Sequence, residues 1–480
     1  MSSLSPIARC SPVDDGEAIL NWDVLTEIMS HLSRRDTSRM ARTCRTLLQV
    51  SPRFLLAGTV TLALPETCLS FCKFMARKDR KDCYRYLRRL DIPLSQWITK
   101  DKRLGNVFTK ATELEWLSLG RGHVLAYDDR ICDAVIGLTK LHTLVLNNPS
   151  KYTLQVVEKM QAALTTVDAD LYDFERRQSQ DPVVTFAPFK DSLELMAVIS
   201  PVFRKKDSQF PRVHSLFAND ATNVKLQILT GCFPNLQNLH LSVAINGFSG
   251  FTTADTQRAQ NQVAQAQVAW PSLRRLSGSV EGLYTLALNC GIDHLSVAST
   301  LLTANDEQRL RLVLSDVRGL QSLYLKLKLP DFNVATLERT LAPVQGTLGE
   351  LMLRFDYRGR NYEEVAPYLS AMLEKLSAFP LHTLRLCVRW FYNGPQDDAP
   401  SGLNHRVIAE WAMRCVASLR HVYVEIEPWA AEFDVQSHVE ADGRLTKVLL
   451  PLGEDNGFVE PDVLFSNDFF QPWLRATGAE

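Results

Sequence analysis

One six-residue phrase, apolar-x-x-apolar-x-apolar, recurs along the chain and constrains its fold more than any other feature. It stands as LRRLDI (87–92), LEWLSL (114–119), LHTLVL (141–146), VHSLFA (213–218), LQNLHL (236–241) and LRRLSG (273–278). It continues as IDHLSV (292–297), LQSLYL (320–325), LGELML (348–353), LHTLRL (381–386) and LRHVYV (419–424), with LTTVDA (164–169) and LTKVLL (445–450) as weaker copies. The last two apolar residues of each phrase alternate with polar ones, as on a short strand buried on one face. A single unit cannot bury that face alone, so neighbouring units must stack their strands side by side.

The spacing names the architecture. Leu87, Leu114 and Leu141 lie 27 apart (114 − 87 and 141 − 114), and Leu320 to Leu348 is 28 (348 − 320). These are periods of a leucine-rich repeat, one strand and one returning arm per unit. The expected class is α/β, an irregular solenoid over residues 57–455 with a parallel sheet on its concave face. The stretches 153–164, 192–203 and 363–379 read as amphipathic helices of the return arms. The competing possibility is an α/β domain with continuous Val/Ile strands buried on both faces; these phrases are leucine-rich and alternate. The Ala/Gln-rich stretch 247–269 reads as a surface insertion, part loop and part helix. The aromatic stretch 456–480, with Phe458, Phe465, Phe469, Phe470 and Trp473, reads as a C-terminal cap.

Composition narrows the function. Lys+Arg 53 against Asp+Glu 54 leaves a formal charge of −1, without the basic excess expected of a protein that binds nucleic acid. The basic cluster from Lys73 to Arg89 is interrupted by Asp79 and Asp82 and reads as a solvated face. Residues 1–17 read as a disordered N-terminus without a signal-peptide apolar run, and no stretch reaches membrane-spanning length. The ten cysteines are scattered rather than framed as disulfides. A cytoplasmic or nuclear protein with reduced thiols and no membrane association is expected.

Residues 18–56 differ from the repeats. Leu25, Ile28, Met29 and Leu32 fall at i, i+3, i+4 and i+7, the face of a helix starting near Trp22. Asp36 or Thr37 can cap a second helix carrying Met40 and Cys44, continued by Leu47 and Leu48, and Pro52 marks a break. This stretch resembles an F-box. Leu20 matches the opening Leu, Asp23 the acidic position, Leu25 and Ile28 the apolar pair, Leu32 the helix end, and Cys44-Arg45 the Cys-Arg pair. Asn21, Thr37 and Leu47 depart from the pattern, standing where Pro, an apolar residue and Trp are usual. An F-box ahead of leucine-rich repeats is an arrangement the family shares with many fungal members.

The resemblance implies a substrate receptor of an SCF-type (Skp–cullin–F-box) ubiquitin ligase acting in protein degradation. Leu20, Asn21, Asp23, Leu25, Ile28, Leu32 and Cys44 would then form or support the surface for the Skp adaptor, itself carried by a cullin-type scaffold. The alternative is a leucine-rich-repeat scaffold whose N-terminal helices only cap the solenoid.

No catalytic constellation stands out. The chain lacks a phosphate-binding Gly-x-x-x-x-Gly-Lys run, a Gly-x-Ser-x-Gly elbow, and a His pair at zinc spacing. Cys68, Cys72 and Cys83 lack a fourth ligand and read as helix cysteines. The expectation is a protein that binds rather than catalyses, without cofactor or metal. Variable strand positions would face a protein substrate, which nominates Trp116, His240, Tyr324, Arg354, Arg385 and Tyr423. The loop 390–404 is a second candidate rim.

Overall fold

The computed structural model describes residues 21–93, 102–120, 125, 129–173, 178–204, 207–222, 224–243, 253–301, 303–329, 334–357, 365–390, 404–426, 429–439 and 445–452. Leu20, the N-terminal 1–17, the loop 391–403 and the aromatic stretch 456–480 lie outside them.

The repeated phrases build one sixteen-stranded sheet. Its first members are β1 (Val60–Thr61), β2 (Arg89–Ile92), β3 (Trp116–Gly120), β4 (Thr143–Asn147) and β5 (Thr166–Asp170). A separate small hairpin follows, β6 (Tyr172–Asp173) with β7 (Gln178–Ser179). The sheet resumes with β8 (Leu195–Ile199), β9 (Ser215–Ala221), β10 (Asn238–Val243), β11 (Ser272–Gly278) and β12 (Gly291–Leu301). It continues through β13 (Ser322–Leu329), β14 (Glu350–Tyr357), β15 (Thr383–Trp390) and β16 (His421–Ile426). Within this sheet, strand order in space is strand order in sequence, and its members from β1 to β16 pair in parallel. Such an arrangement is α/β and solenoid-like, each strand returning through a helix or irregular arm to lie beside the last.

The phrase becomes a ladder. Leu90, Leu117, Leu144, Val167, Met196, Leu216, Leu239, Leu276, Leu295, Leu323, Leu351, Leu384 and Val422 are successive register partners, all buried. The opening residue of each phrase, such as Leu87, Leu114, Leu141 and Leu164, is buried in the turn before the strand. The backbone there is also paired: His142 N–H donates to Glu115 O at 2.9 Å, and Thr165 N–H to His142 O at 2.9 Å. Each fully buried leucine contributes about 2 kcal/mol of apolar transfer energy. Strand leucines and helix residues share one continuous core, so the helices cover one face of the sheet, and the side chains on its other face pack laterally, many of them under a tenth exposed.

Several expectations need correction. The helix expected over 192–203 gives way to β8, whose Met196 sits in register between Val167 and Leu216. LELMAV (193–198) is another copy of the phrase, and its apolar spacing of three fits a helix equally well until neighbouring strands claim it. The helix expected over 153–164 spans Lys151–Val157 only, whereas Val365–Leu376 lies inside the expected 363–379. LTKVLL is no repeat: β17 (Trp429–Val439) and β18 (Leu445–Pro451) run antiparallel and cover the last parallel edge.

The stretch 247–269 is more than a surface insertion. Its described part forms the helix Ala254–Gln265, capped by Thr253, with Gln257, Arg258 and Asn261 buried. Asn261 accepts from Leu226 N–H at 2.9 Å and donates to Val224 O at 3.2 Å and Thr285 O at 2.8 Å. These groups lie at the ends of neighbouring helices, where backbone partners run out. The helix is poor in large apolar residues because its inner face is polar and joined by hydrogen bonds.

The head holds three helices: α1 (Trp22–His31), α2 (Arg34–Met40) and α3 (Arg45–Leu55). Their own small core gathers Met29, Ala41 and Leu47, with Leu25, Met40, Cys44, Leu48, Val50 and Phe54 packed against it. Ser33, not Asp36 or Thr37, caps α2, accepting from Asp36 N–H at 3.2 Å. Pro52 does not break α3 but lies inside it. Proline lacks the N–H that Leu48 O would receive, and the Ser51 hydroxyl donates to that carbonyl instead, at 3.0 Å.

Candidate functional site

Two surfaces present side chains suited to binding. The first is α1. Asn21 caps it, its side chain accepting from Asp23 N–H at 3.3 Å, so the start of the helix is held without proline. Met29 turns inward at 1 % exposure, with Leu25 beside it, whereas Trp22 at 44 %, Val24 at 44 % and Ile28 at 39 % face outward. Val24 and Ile28 are one turn apart and form an apolar outer strip, whereas Trp22, seven residues before Met29, is exposed at the first turn of the helix. Asp23 is exposed and Leu32 half-buried. Cys44 is half-buried at the start of α3, its Sγ receiving Leu47 N–H at 3.5 Å. Cys44 and Leu25 therefore support the head core, and Ile28 faces outward.

The second surface is the face of the sheet turned away from the helices. Trp116, His240 and Tyr324 lie on it but are under a tenth exposed, packed against their strand neighbours. Trp116 packs on Val145. Tyr324 joins Met352, Cys387 and Tyr423 in an apolar stripe across β13 to β16. His240 is stacked on Phe217, ring centroids 6.1 Å apart. Its Nε2 lies 3.0 Å from Asn219 Oδ1 and its Nδ1 2.8 Å from Ser277 Oγ. Burial pushes the imidazole down to about 4, so the ring is neutral at physiological pH, donating to Asn219 and accepting from Ser277.

Arg354 and Arg385 sit among acids. Lys326 Nζ lies 2.9 Å and Arg354 Nε 3.4 Å from Asp356, and Arg385 Nε lies 3.3 Å from Glu350. Tyr423 donates to Glu425 at 3.4 Å. Burial, then the neighbouring Glu425, raises both the Tyr423 hydroxyl and the Cys387 thiol, which keeps them protonated. At this end the charges are matched in sign around an apolar stripe, although Asp356 Oδ1 and Arg385 Nε are buried without a hydrogen bond among the described residues. No family model matches the chain. No curated protein matches its sequence either.

The other end is not matched. Burial raises the Asp91 carboxyl, with the Ser118 and Thr61 hydroxyls opposing the rise, and Asp170 accepts from Tyr172 N–H at 3.0 Å. Asp168, only 8 % exposed, has neither a donor nor a cation among the described residues. Burial, reinforced by Asp170, pushes its carboxyl up to about 7. Sequence reasoning did not single out Asp168, because LTTVDA is a weak copy of the phrase. The signal was there: an aspartate at the outward strand position between Val167 and Ala169.

Among the described residues, no group of three His, Cys, Asp or Glu side chains could hold a metal ion, and no helix is long and apolar enough to cross a membrane.

Proposed function

We propose that the protein is a substrate receptor of an SCF-type ubiquitin ligase, with its head on a Skp adaptor and the open sheet face holding a protein substrate. The observation that carries this reading is the division of labour within α1. Met29 holds the head core, while Val24 and Ile28 leave an apolar outer strip ahead of a long solenoid. A helix serving only as a cap would turn its large apolar residues toward the repeats. The resemblance of Asp23, Leu25, Ile28, Leu32 and Cys44-Arg45 to an F-box supports the same reading.

The test is co-purification of the intact chain with a Skp adaptor, beside a chain lacking residues 1–56 and the full chain with Val24→Asp and Ile28→Asp. Retention by the intact chain and loss by both others is expected. Failure of the intact chain to retain the adaptor removes the proposal and leaves the scaffold alternative.

A further inference from the structure

Acidic and basic side chains on the open sheet face are unevenly distributed. From β13 to β16, Asp356 and Glu350 each have a cation within 3.4 Å. From β3 to β10 the outward positions of the described strands hold no lysine or arginine. Asp168 stands in the middle of that second region. A carboxylate left only 8 % exposed without a donor or a counter-charge is costly, and its remaining contact with water leaves it reachable by a cation.

Its surroundings define what could complete it. Asp168 is in register with Val145 on one side and Ala197 on the other. Trp116 packs on Val145, and Phe217 packs on Ala197. Strands are about 4.8 Å apart, so Phe217, two strands from Asp168, is about 10 Å away across Ala197. Asp170 follows two residues later on the same strand face, and Asp220 acts on it electrostatically. Val145 and Ala197 are themselves buried, at 1 % and 7 % exposure, so a carboxylate set among apolar neighbours suits a long cationic side chain that reaches it end-on. A bare metal ion would need several ligands together, which the described residues do not assemble.

We propose that Asp168, flanked by Val145, Ala197 and Phe217, is the position that receives a lysine or arginine side chain of the protein partner. This rests on reading the open face as the partner surface, and is independent of what the head binds. The cation supplies the missing counter-charge and favours the ionised carboxylate, so docking releases the proton that burial otherwise retains. Of the groups facing Asp168, β4 and β8 contribute none that titrate, β5 contributes Asp170 and β9 contributes Asp220. Farther across the face, burial raises Asp91 against the opposing Ser118 and Thr61 hydroxyls, and His240, held down to about 4, stays neutral above pH 6. Asp168 therefore dominates the dependence between pH 6 and 8.

The experiment titrates the full-length protein, without any adaptor, with an end-capped tetralysine peptide in a calorimeter at pH 8 and pH 6. Binding at pH 8, about tenfold weaker at pH 6 as the ionised share of Asp168 falls, is expected. Asp168→Asn, which keeps the shape, should lose at least tenfold in affinity at pH 8. Ala197→Phe, which covers the carboxylate, should do the same while thermal unfolding shows the fold intact. The tetra(acetyl-lysine) peptide should not bind. Undiminished binding by Asp168→Asn, equal binding of the acetylated peptide, or no binding by the parent protein overturns the proposal. So does binding of spermine without tetralysine, which would assign the position to a polyamine. Loss of adaptor capture by the head would leave all of these results unchanged.

Discussion

Arg258 and Asp316, 58 residues apart in sequence, meet at 2.5 Å between the helices that back the sheet. The guanidinium also donates to Tyr284 O at 2.8 Å and lies 4.5 Å from the centre of the Tyr284 ring. The Tyr284 hydroxyl in turn donates to Asp255 at 2.8 Å. One arginine thus joins three successive return arms, which contact each other where large apolar side chains are few. Arg258→Ala leaves Asp316 without its cation and Tyr284 O without its donor. It should lower stability by about 3 kcal/mol in urea unfolding. The double variant Arg258→Ala, Asp316→Ala should cost less than the two single changes added together, by about 1 kcal/mol or more.

Gly278 stands at the third apolar position of its phrase, where the other units favour Leu, Val or Ala. A leucine there would match the repeat pattern. A Cβ on Gly278 would stand 1.9 Å from the carbonyl oxygen of Leu241, a backbone atom fixed by the strand pairing. Gly278→Leu should therefore destabilise by about 3 kcal/mol despite improving the pattern. The midpoint of thermal unfolding measures it, and an unchanged or raised midpoint would contradict the close approach of these strands.

The pH dependence of stability should carry the mark of Asp168. Its folded carboxyl is raised from 3.8 to about 7, so between those values the folded state binds more protons than the unfolded chain. Stability from this group is fully present below pH 3.8 and is lost as pH rises to about 7. The loss approaches roughly 4 kcal/mol at pH 8. Asp168→Asn does not titrate, so its unfolding temperature should exceed that of the parent at pH 8, and the gap should narrow by more than half at pH 5 and close only below about pH 3.8. Equal gaps at both pH values would show that the carboxyl ionises in the folded protein as it does in water.

Neighbouring residues of α1 should behave oppositely. Met29→Asp places a charge in the small head core and should unfold the head, a cost above about 3 kcal/mol, seen as rapid proteolysis within residues 21–56. Ile28→Asp, at 39 % exposure, should leave the head as resistant as the parent. Equal protease sensitivity of the two variants would mean that α1 buries a different face.

Much of the fold was written in the order of side chains. The phrase apolar-x-x-apolar-x-apolar implies a strand buried on one face, and its return every few tens of residues implies parallel stacking, since no unit can hide its leucines alone. Leu114, Leu141 and Leu351 could be placed in the core from that rule. The head helix was legible for the same reason, as the spacing of Leu25, Met29 and Leu32 matches a helical turn.

Only the tertiary structure decided the rest, because it depended on which neighbours each residue met. Residues 193–198 carry a spacing that suits helix and strand alike, and register with Val167 and Leu216 made them a strand. The polar helix Ala254–Gln265 read as surface until the carbonyls of Val224, Tyr284 and Thr285 proved to be its partners. Trp116, His240 and Tyr324 stand at outward strand positions, yet lateral packing leaves each under a tenth exposed. Local pattern determines which face a side chain takes; whether that face meets water, a counter-charge or another side chain is settled by strands far away in sequence.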